Sequence, residues 1–214
     1  VNLLINLFMG VSVGCNVLVA RFYGARNDRA VSETVHCAVG ASAIIGLLAG
    51  AVGLIFSTPL LRLMGSPEDV LPLASLYLKI FFCGMPFNIA YNFGAAILRA
   101  VGETKRPLYI LSAAGIVNVA LNLVTVIVFH MGVAGVALAT ITSQLISAVL
   151  VVRCLTRRED SCRLVLREIR IYKDKLWEMI RIGLPAGIQG SLFSLPNVSS
   201  QSSVNSLGST VVAG

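Results

Sequence analysis

The chain contains long apolar runs without Asp, Glu, Lys or Arg, and each is long enough to cross a lipid bilayer. A spanning α-helix needs about 20 apolar residues to cross roughly 30 Å of hydrocarbon. The longest run has room for two helices, which we expect to separate near residues 130–132. The sequence therefore predicts six spans, in residues 1–20, 34–61, 80–98, 107–152 (two spans) and 182–214.

The composition agrees with an all-α, polytopic membrane protein. Apolar residues make up 56% of the chain and charged residues 13%, and the mean hydropathy is +0.84, far from a soluble domain. Residues 1–20 are interpreted as a span rather than a signal peptide, because no basic residue or initiator Met precedes them. Since the first and last apolar runs meet the chain ends, we expect further helices on both sides.

The net charge of +7 is distributed in alternate loops. Residues 21–33, 99–106 and 153–181 hold all the Lys and Arg except Arg62 and Lys79. Such alternation is the positive-inside pattern, and it places the three basic loops in the cytoplasm. A nucleic-acid site would need the basic residues on one face, so we expect no nucleic-acid partner.

Polar residues recur at helical spacing inside the apolar runs. Unsatisfied amides in hydrocarbon would cost several kcal/mol each, so they should face other helices or water. Hydrogen bonds between helices, worth about 0.6 kcal/mol each, are one explanation. A water-filled cavity is the other, and it is favoured because three stripes accompany proline-kinked helices. The stripes are Gly115, Asn118, Asn122 and Thr125; Thr140, Ser143, Gln144 and Ser147; and Ser194, Asn197, Gln201 and Asn205; the third span adds Asn88 and Asn92.

The sequence contains no recognisable catalytic constellation, and we expect the protein not to be an enzyme. Its two histidines, His36 and His130, fall at opposite membrane edges in the predicted topology. The five cysteines form no CxxC pair, so neither a disulfide framework nor a metal centre is predicted. Oxygens of Asn and Thr suit Na⁺, whereas none of these side chains titrates near neutral pH. Proton coupling would need a carboxylate outside the predicted spans.

Three local patterns predict how the helices pack and connect. The spacing of Gly10 with Gly14, and of Gly46 with Gly50, predicts close helix–helix contacts. Pro86 cannot donate a backbone hydrogen bond and should kink the third span. Residues 161–181 alternate apolar and charged residues with helical period, which predicts an amphipathic helix, lying either in the membrane interface or as a soluble connector.

Four stretches, taken together, resemble the MATE family of multidrug and toxic-compound extrusion transporters over essentially the whole chain. They are VARFYGA (residues 19–25), LRAVGETKRP (98–107), NVALN with MGVAGVALAT (118–122 and 131–140), and RIGLP (181–185). The resemblance implies twelve helices in two six-helix bundles. Residues 1–154 would be part of the first bundle, residues 155–181 a cytoplasmic linker, and residues 182–214 the first helix of the second bundle.

The implied activity is antiport in a bacterial plasma membrane by a monomer without cofactors. Entry of Na⁺ or H⁺ would drive export of amphipathic or cationic small molecules. A lipid-linked oligosaccharide flippase of the same superfamily is the alternative. It should line its cavity with several Arg or Lys residues for pyrophosphate, and the predicted spans contain none.

The resemblance also implies where the ion binds. In some members an Asp on the first helix acts with two fifth-helix residues and a sixth-helix Thr, and the latter three positions match Asn118, Asn122 and Thr140. These residues are the candidate Na⁺ site, although Asn122 stands where many members have Asp. Other branches carry a Glu on the seventh helix at the position of Phe193, so coupling in the second bundle is not expected. Asn88, Asn92, Gln144, Asn197, Gln201 and Asn205 are the candidate cavity-lining residues.

Overall fold

The computed structural model describes residues 2–63 and 71–206, with side chains described for residues 8–59, 61–62 and 71–190. This part of the chain is a helical bundle without strands, which confirms the all-α fold class. Its α-helices are α1 (Asn2–Gly24), α2 (Asp28–Leu63), α3 (Leu71–Cys83), α4 (Met85–Ala100), α5 (Lys105–Leu123), α6 (Gly132–Thr156) and α7 (Lys173–Ser206).

The helices account for four of the six predicted spans. Three stretches are long and apolar enough to cross a membrane: Asp28–Pro59, Lys105–Val128 and Gly132–Thr156. The bent pair α3 and α4 makes a fourth span if it is counted as one. The first and sixth predicted spans lie on α1 and α7, and part of each lies outside the described side chains. The chain is therefore a multi-pass membrane protein.

The third predicted span is kinked, as Pro86 requires. Helices α3 and α4 meet at Gly84 with a bend of 46°. Pro86 lies in the first turn of α4, where an N–H group would have no partner within that helix. Because Pro86 has no N–H, a continuous helix could not supply the usual donor to the Phe82 carbonyl, and the helix breaks there. The Gly84 N–H instead bonds the Phe81 carbonyl at 3.0 Å, which tightens the turn.

Glycines bring the backbones of neighbouring helices together at two contacts. On α2, a Cβ atom added to Gly46 would lie 2.6 Å from the Pro86 Cα, and one on Gly50 would lie 2.9 Å from the Phe82 carbonyl oxygen. On α1, a Cβ atom added to Gly10 would lie 2.5 Å from the Gly183 carbonyl oxygen of α7, and one on Gly14 would lie closer still to the Met179 carbonyl oxygen. Both predicted glycine contacts are confirmed. The contact of Gly46 and Gly50 packs the kinked pair α3–α4 closely against α2.

The apolar core lies where α1, α2, α4 and α6 meet. Tight packing there holds α4 and α6 in a fixed relation, which matters because both helices contribute to the site described below. The fully buried side chains of this core include Leu18, Val35, Phe82, Phe93, Ile97, Val151 and Leu155.

The predicted amphipathic helix over residues 161–181 is wrong in its first half. Only Leu166–Glu168 form a short 3₁₀ turn, and α7 begins at Lys173. The intervening chain crosses the end of the bundle instead, where the Val165 N–H donates to Nε2 of buried His36 at 3.0 Å. Burial of Leu164 and the contact of Ile169 with Gly40 replace the expected helical face. Tertiary contacts thus override the helical period.

The basic loops meet at one end of the bundle. The carboxylate of Glu103, in the loop between α4 and α5, binds Arg158 after α6 and also Arg106, the latter at 2.5 Å. Arg158 also binds Asp160 and thereby lowers the pKa of that carboxyl. The loops assigned to the cytoplasm therefore lie on the same side. The division at residues 154 and 181 stays a prediction, and α7 runs unbroken through residue 181.

We expect Gly46→Ala to destabilise the intact transporter by about 1–3 kcal/mol, because the added methyl group must displace the backbone at Pro86. Gly24→Ala is the matched control, since a Cβ there meets no heavy atom within 4 Å. Apparent melting temperatures in detergent provide the comparison. Equal melting temperatures for the two variants would contradict the proposed backbone contact.

Candidate functional site

A polar cavity of about 380 Å³ lies between α4, α5 and α6. It brings together the polar stripes predicted on the fourth and fifth spans and one Asn of the third. Its lining residues are Asn88, Tyr91, Leu111, Ala114, Gly115, Asn118, Thr140, Ser143, Gln144 and Ser147.

Small residues allow α6 to pack closely enough to complete this cavity. Gly135, Ala139, Ser143 and Ser147 form a buried ridge along α6. Gly135 packs directly against Thr125, two residues after the end of α5. Larger residues along this ridge would separate the two polar stripes, because interiors are close-packed.

A chain of hydrogen bonds joins α5 to α6 beside the cavity. Asn122 Nδ2 donates to Asn118 Oδ1 at 3.0 Å, and Asn118 Nδ2 donates to Ser143 Oγ at 3.2 Å. The Ser143 hydroxyl donates in turn to the Thr140 carbonyl at 2.8 Å. The polar groups therefore satisfy one another across the helix interface, as expected for amides within a membrane.

Three buried side-chain oxygens receive no hydrogen bond from any described residue; Glu178 Oε2 lies on α7, and the other two lie on α5 and α6 beside the cavity. One is Asn122 Oδ1, at the end of the chain of hydrogen bonds, and the other is Gln144 Oε1. The latter lies beside the break at Gly84, where an added Cβ atom would come within 2.7 Å of it. Because buried polar atoms are almost always paired, these oxygens indicate places for a water molecule or a cation.

Some of the predicted site residues line the cavity, and others do not. Asn88, Asn118, Thr140 and Gln144 line the cavity together. Asn122 does not line it but bonds Asn118 directly. The remaining predicted residues are Asn92 and three residues of α7, considered next.

Asn92, like Asn122, does not line the cavity. Its amide donates within α4 to the Asn88 carbonyl at 2.8 Å and to Asn88 Oδ1 at 3.0 Å. Asn197, Gln201 and Asn205, together with Ser194 and Phe193, lie outside the described side chains. The predicted stripe on the sixth span therefore stays a prediction.

Tyr91 was not among the predicted site residues. It lines the cavity, and its hydroxyl donates to the Pro107 carbonyl at 3.0 Å. An aromatic residue within an apolar run resembles any other core residue, although Tyr91 follows Asn88 by three positions and so shares its face. The hydroxyl also connects α4 to the start of α5, so it fixes the loop end of the cavity.

A π-helical stretch, Val124–Val128, follows α5 immediately after Asn122. The Thr125 hydroxyl bonds back to the Leu121 carbonyl at 2.8 Å. The chain then turns into α6 through positive φ angles at His130 and Gly132, which confirms the predicted break. Single π turns within α-helices are rare and frequently lie at functional sites.

No acidic or basic side chain lines the cavity among the described residues. The available ligands are amide and hydroxyl oxygens, which suit a hard cation such as Na⁺. The Thr140 hydroxyl donates to the Val136 carbonyl at 2.9 Å, so its oxygen lone pairs stay available. The donor set therefore fits a cation that needs oxygen ligands, and it contains no group that changes charge near neutral pH.

Comparisons with known proteins agree on one family. A family model described as MatE matches residues 1–124. The chain is 31% identical over 218 residues to the "Probable multidrug resistance protein YoeA" of Bacillus subtilis (strain 168), covering 99% of this chain and 47% of that protein. It is 26% identical over 187 residues to the "Multidrug export protein MepA" of Staphylococcus aureus (strain MRSA252), covering 87% and 41%. The chain thus spans about half the length of the curated relatives it matches.

Solved structures give the same result. One described as "Inward-facing conformation of a multidrug resistance MATE family transporter of the MOP superfamily" matches with a TM-score of 0.81 and 25% identity, over 88% of this chain and 43% of that chain. Its "Outward-facing conformation" counterpart matches with a TM-score of 0.81 and 24% identity, over 88% and 42%, and so supports the fold alone.

A cysteine at Gln144 should react with a water-soluble methanethiosulfonate, because the thiolate forms readily only in contact with water. Leu138→Cys, on the exposed face of the same helix, should stay unlabelled in the bilayer. Both are compared in an otherwise cysteine-free intact transporter by mass spectrometry. Labelling at residue 138 but not at residue 144 would mean that the amides face lipid rather than water.

Proposed function

The chain belongs to the MatE family, and on that premise we propose that it is part of a secondary transporter that exports drugs or toxic organic compounds in exchange for Na⁺ or H⁺. Relatives named as multidrug resistance and export proteins support the substrate class. The intact transporter acts as a monomer in a bacterial plasma membrane, without a cofactor. Its substrates are amphipathic or cationic small molecules.

The observation that carries the proposal is the polar cavity between three membrane helices. Such cavities mark substrate or ion pathways, because polar groups within lipid are otherwise avoided. Leu111, Ala114 and Tyr91 supply apolar wall, and Asn118, Thr140 and Gln144 supply polar groups. This mixture suits an ion together with part of an amphipathic compound.

Na⁺ is the coupling ion that the described residues favour. The cation would bind at Asn118, Asn122 and Thr140, and a carboxylate on a helix before this chain would complete the site. Asn118 Oδ1 already accepts a hydrogen bond from Asn122, and its second lone pair is left for an ion. An ion held there would connect the oxygens of α5 and α6, so its presence or absence can shift the cavity between two arrangements, which is what coupling requires.

The flippase alternative is less consistent with the cavity. A pyrophosphate group needs cationic partners, and the described lining contains neither Lys nor Arg. The two functions predict different responses to organic cations, which a neutral cavity tolerates and a cationic one repels.

Ethidium extrusion from vesicles containing the intact transporter should collapse when the Na⁺ gradient is removed, because ion entry supplies the driving force. Separately imposed Na⁺ and pH gradients identify the ion by fluorescence. Dependence on the pH gradient alone would exclude Na⁺ coupling, and extrusion driven by ATP alone would exclude antiport.

Two threonines that lie two residues apart on α6, and so face different sides of it, provide a matched pair for the site. Thr140 lines the cavity, whereas Thr142 is exposed, and both hydroxyls bond the carbonyl four residues earlier. Thr140→Ala should weaken the apparent Na⁺ affinity about tenfold or more, in line with losing one interaction with a charged group. Thr142→Ala should leave it unchanged. Equal effects would remove Thr140 from the proposed site.

A further inference from the structure

A second groove lies between α5 and α6 at the end of the bundle where the basic loops meet. Its volume is about 480 Å³. Its described lining comes from these two helices and from Arg157, the residue after α6. The polar cavity is also bordered by α4, and the groove and the cavity share no lining residue. The groove is lined by Arg106, Tyr109, Ile110, Leu150, Arg153, Cys154 and Arg157.

The loop end of this groove carries uncompensated positive charge. Arg106 is partly neutralised by Glu103 at 2.5 Å, and its Nη1 also donates to Cys154 Sγ at 3.7 Å. Neither Arg153 nor Arg157 has a carboxylate within ion-pair distance in the described part of the chain. Of the nearby acids, Glu103 and Asp160 both bind Arg158. Glu159 forms no ion pair with Arg153 or Arg157.

The membrane side of the groove is apolar and open. Tyr109 is 67% exposed and Leu150 is 37% exposed, so no described helix covers them. Along the same side of α6, Val149 is also exposed. Charged residues at the loop end and an apolar wall beneath them form an amphipathic surface in the plane where a lipid headgroup meets its acyl chains.

We propose that this groove binds an anionic glycerophospholipid. The lipid phosphate lies among Arg106, Arg153 and Arg157, and one acyl chain covers Tyr109, Ile110 and Leu150. Guanidinium groups suit phosphate because they donate in pairs, and basic pockets between membrane helices on the cytoplasmic side bind anionic headgroups. A free phosphate ion would satisfy the arginines but would leave the apolar wall uncovered, which is why the lipid is the occupant.

The test measures the apparent dissociation constant of the first bound phosphatidylglycerol by native mass spectrometry of the intact transporter in detergent. Arg153→Gln with Arg157→Gln should weaken binding roughly 30-fold, since each basic residue near the membrane surface contributes roughly fivefold. Phosphatidylcholine should bind the unmodified protein weakly. An excess of inorganic phosphate should displace little phosphatidylglycerol.

Two further double variants test whether the loss of binding is specific to the groove, rather than a result of lower overall charge or of misfolding. Arg167→Gln with Arg170→Gln removes the same charge from exposed positions outside the groove and should leave binding unchanged. Arg153→Lys with Arg157→Lys should keep most of the affinity. Equal losses in both Gln pairs, or efficient displacement by inorganic phosphate, would overturn the proposal. Because the measurement is lipid binding, it is independent of whether the protein exports drugs.

Discussion

The cost of an unpaired amide in hydrocarbon is the constraint on which this structure depends. Asn118 and Asn122 cannot face lipid, so α5 must pack with its polar stripe toward α6, where Ser143 accepts the Asn118 amide. The small-residue ridge on α6 makes that approach possible. Once the two stripes face each other, the residues between them and α4 enclose polar space within the membrane. The cavity is therefore a consequence of satisfying these amides.

Close backbone contacts keep this arrangement rigid. Gly46 and Gly50 seat the break between α3 and α4 against α2, so the kink at Gly84 is held by packing rather than left as a free hinge. The chain matches inward-facing and outward-facing structures with the same TM-score of 0.81. The fold of this chain is therefore equally similar to both. Gly10 and Gly14 pack closely against α7, so they join α1 to the helix that follows α6.

Periodicity and the lengths of the apolar runs were sufficient to predict four of the spans, the kink and the inward-facing stripes of α5 and α6, because each depends on local covalent chemistry or on the cost of polar groups in lipid. Residues 161–172 were predicted incorrectly because the bond from Val165 to His36 joins positions far apart in sequence. Asn92 shares a helical face with Asn88, yet it bonds within its own helix and leaves the cavity to its neighbour. The π turn over Val124–Val128 has no sequence signal that periodicity detects, since its four apolar residues and Thr125 continue the pattern of α5.

On the proposed function, the neutral amide at position 122 changes how a cation would be held. Many members of the family carry Asp at this position, whereas Asn122 contributes an oxygen without a charge. Attraction must then come from oriented dipoles and from a carboxylate supplied by another helix. Asn122 Oδ1 and Gln144 Oε1 are already without donors, so they can accept an ion or its water without breaking an existing bond. Asn118 differs, because its oxygen already accepts the Asn122 amide and has one lone pair left for an ion. A cation bound at Asn118 would therefore sit directly on the contact between neighbouring turns of α5, close to the π turn over Val124–Val128.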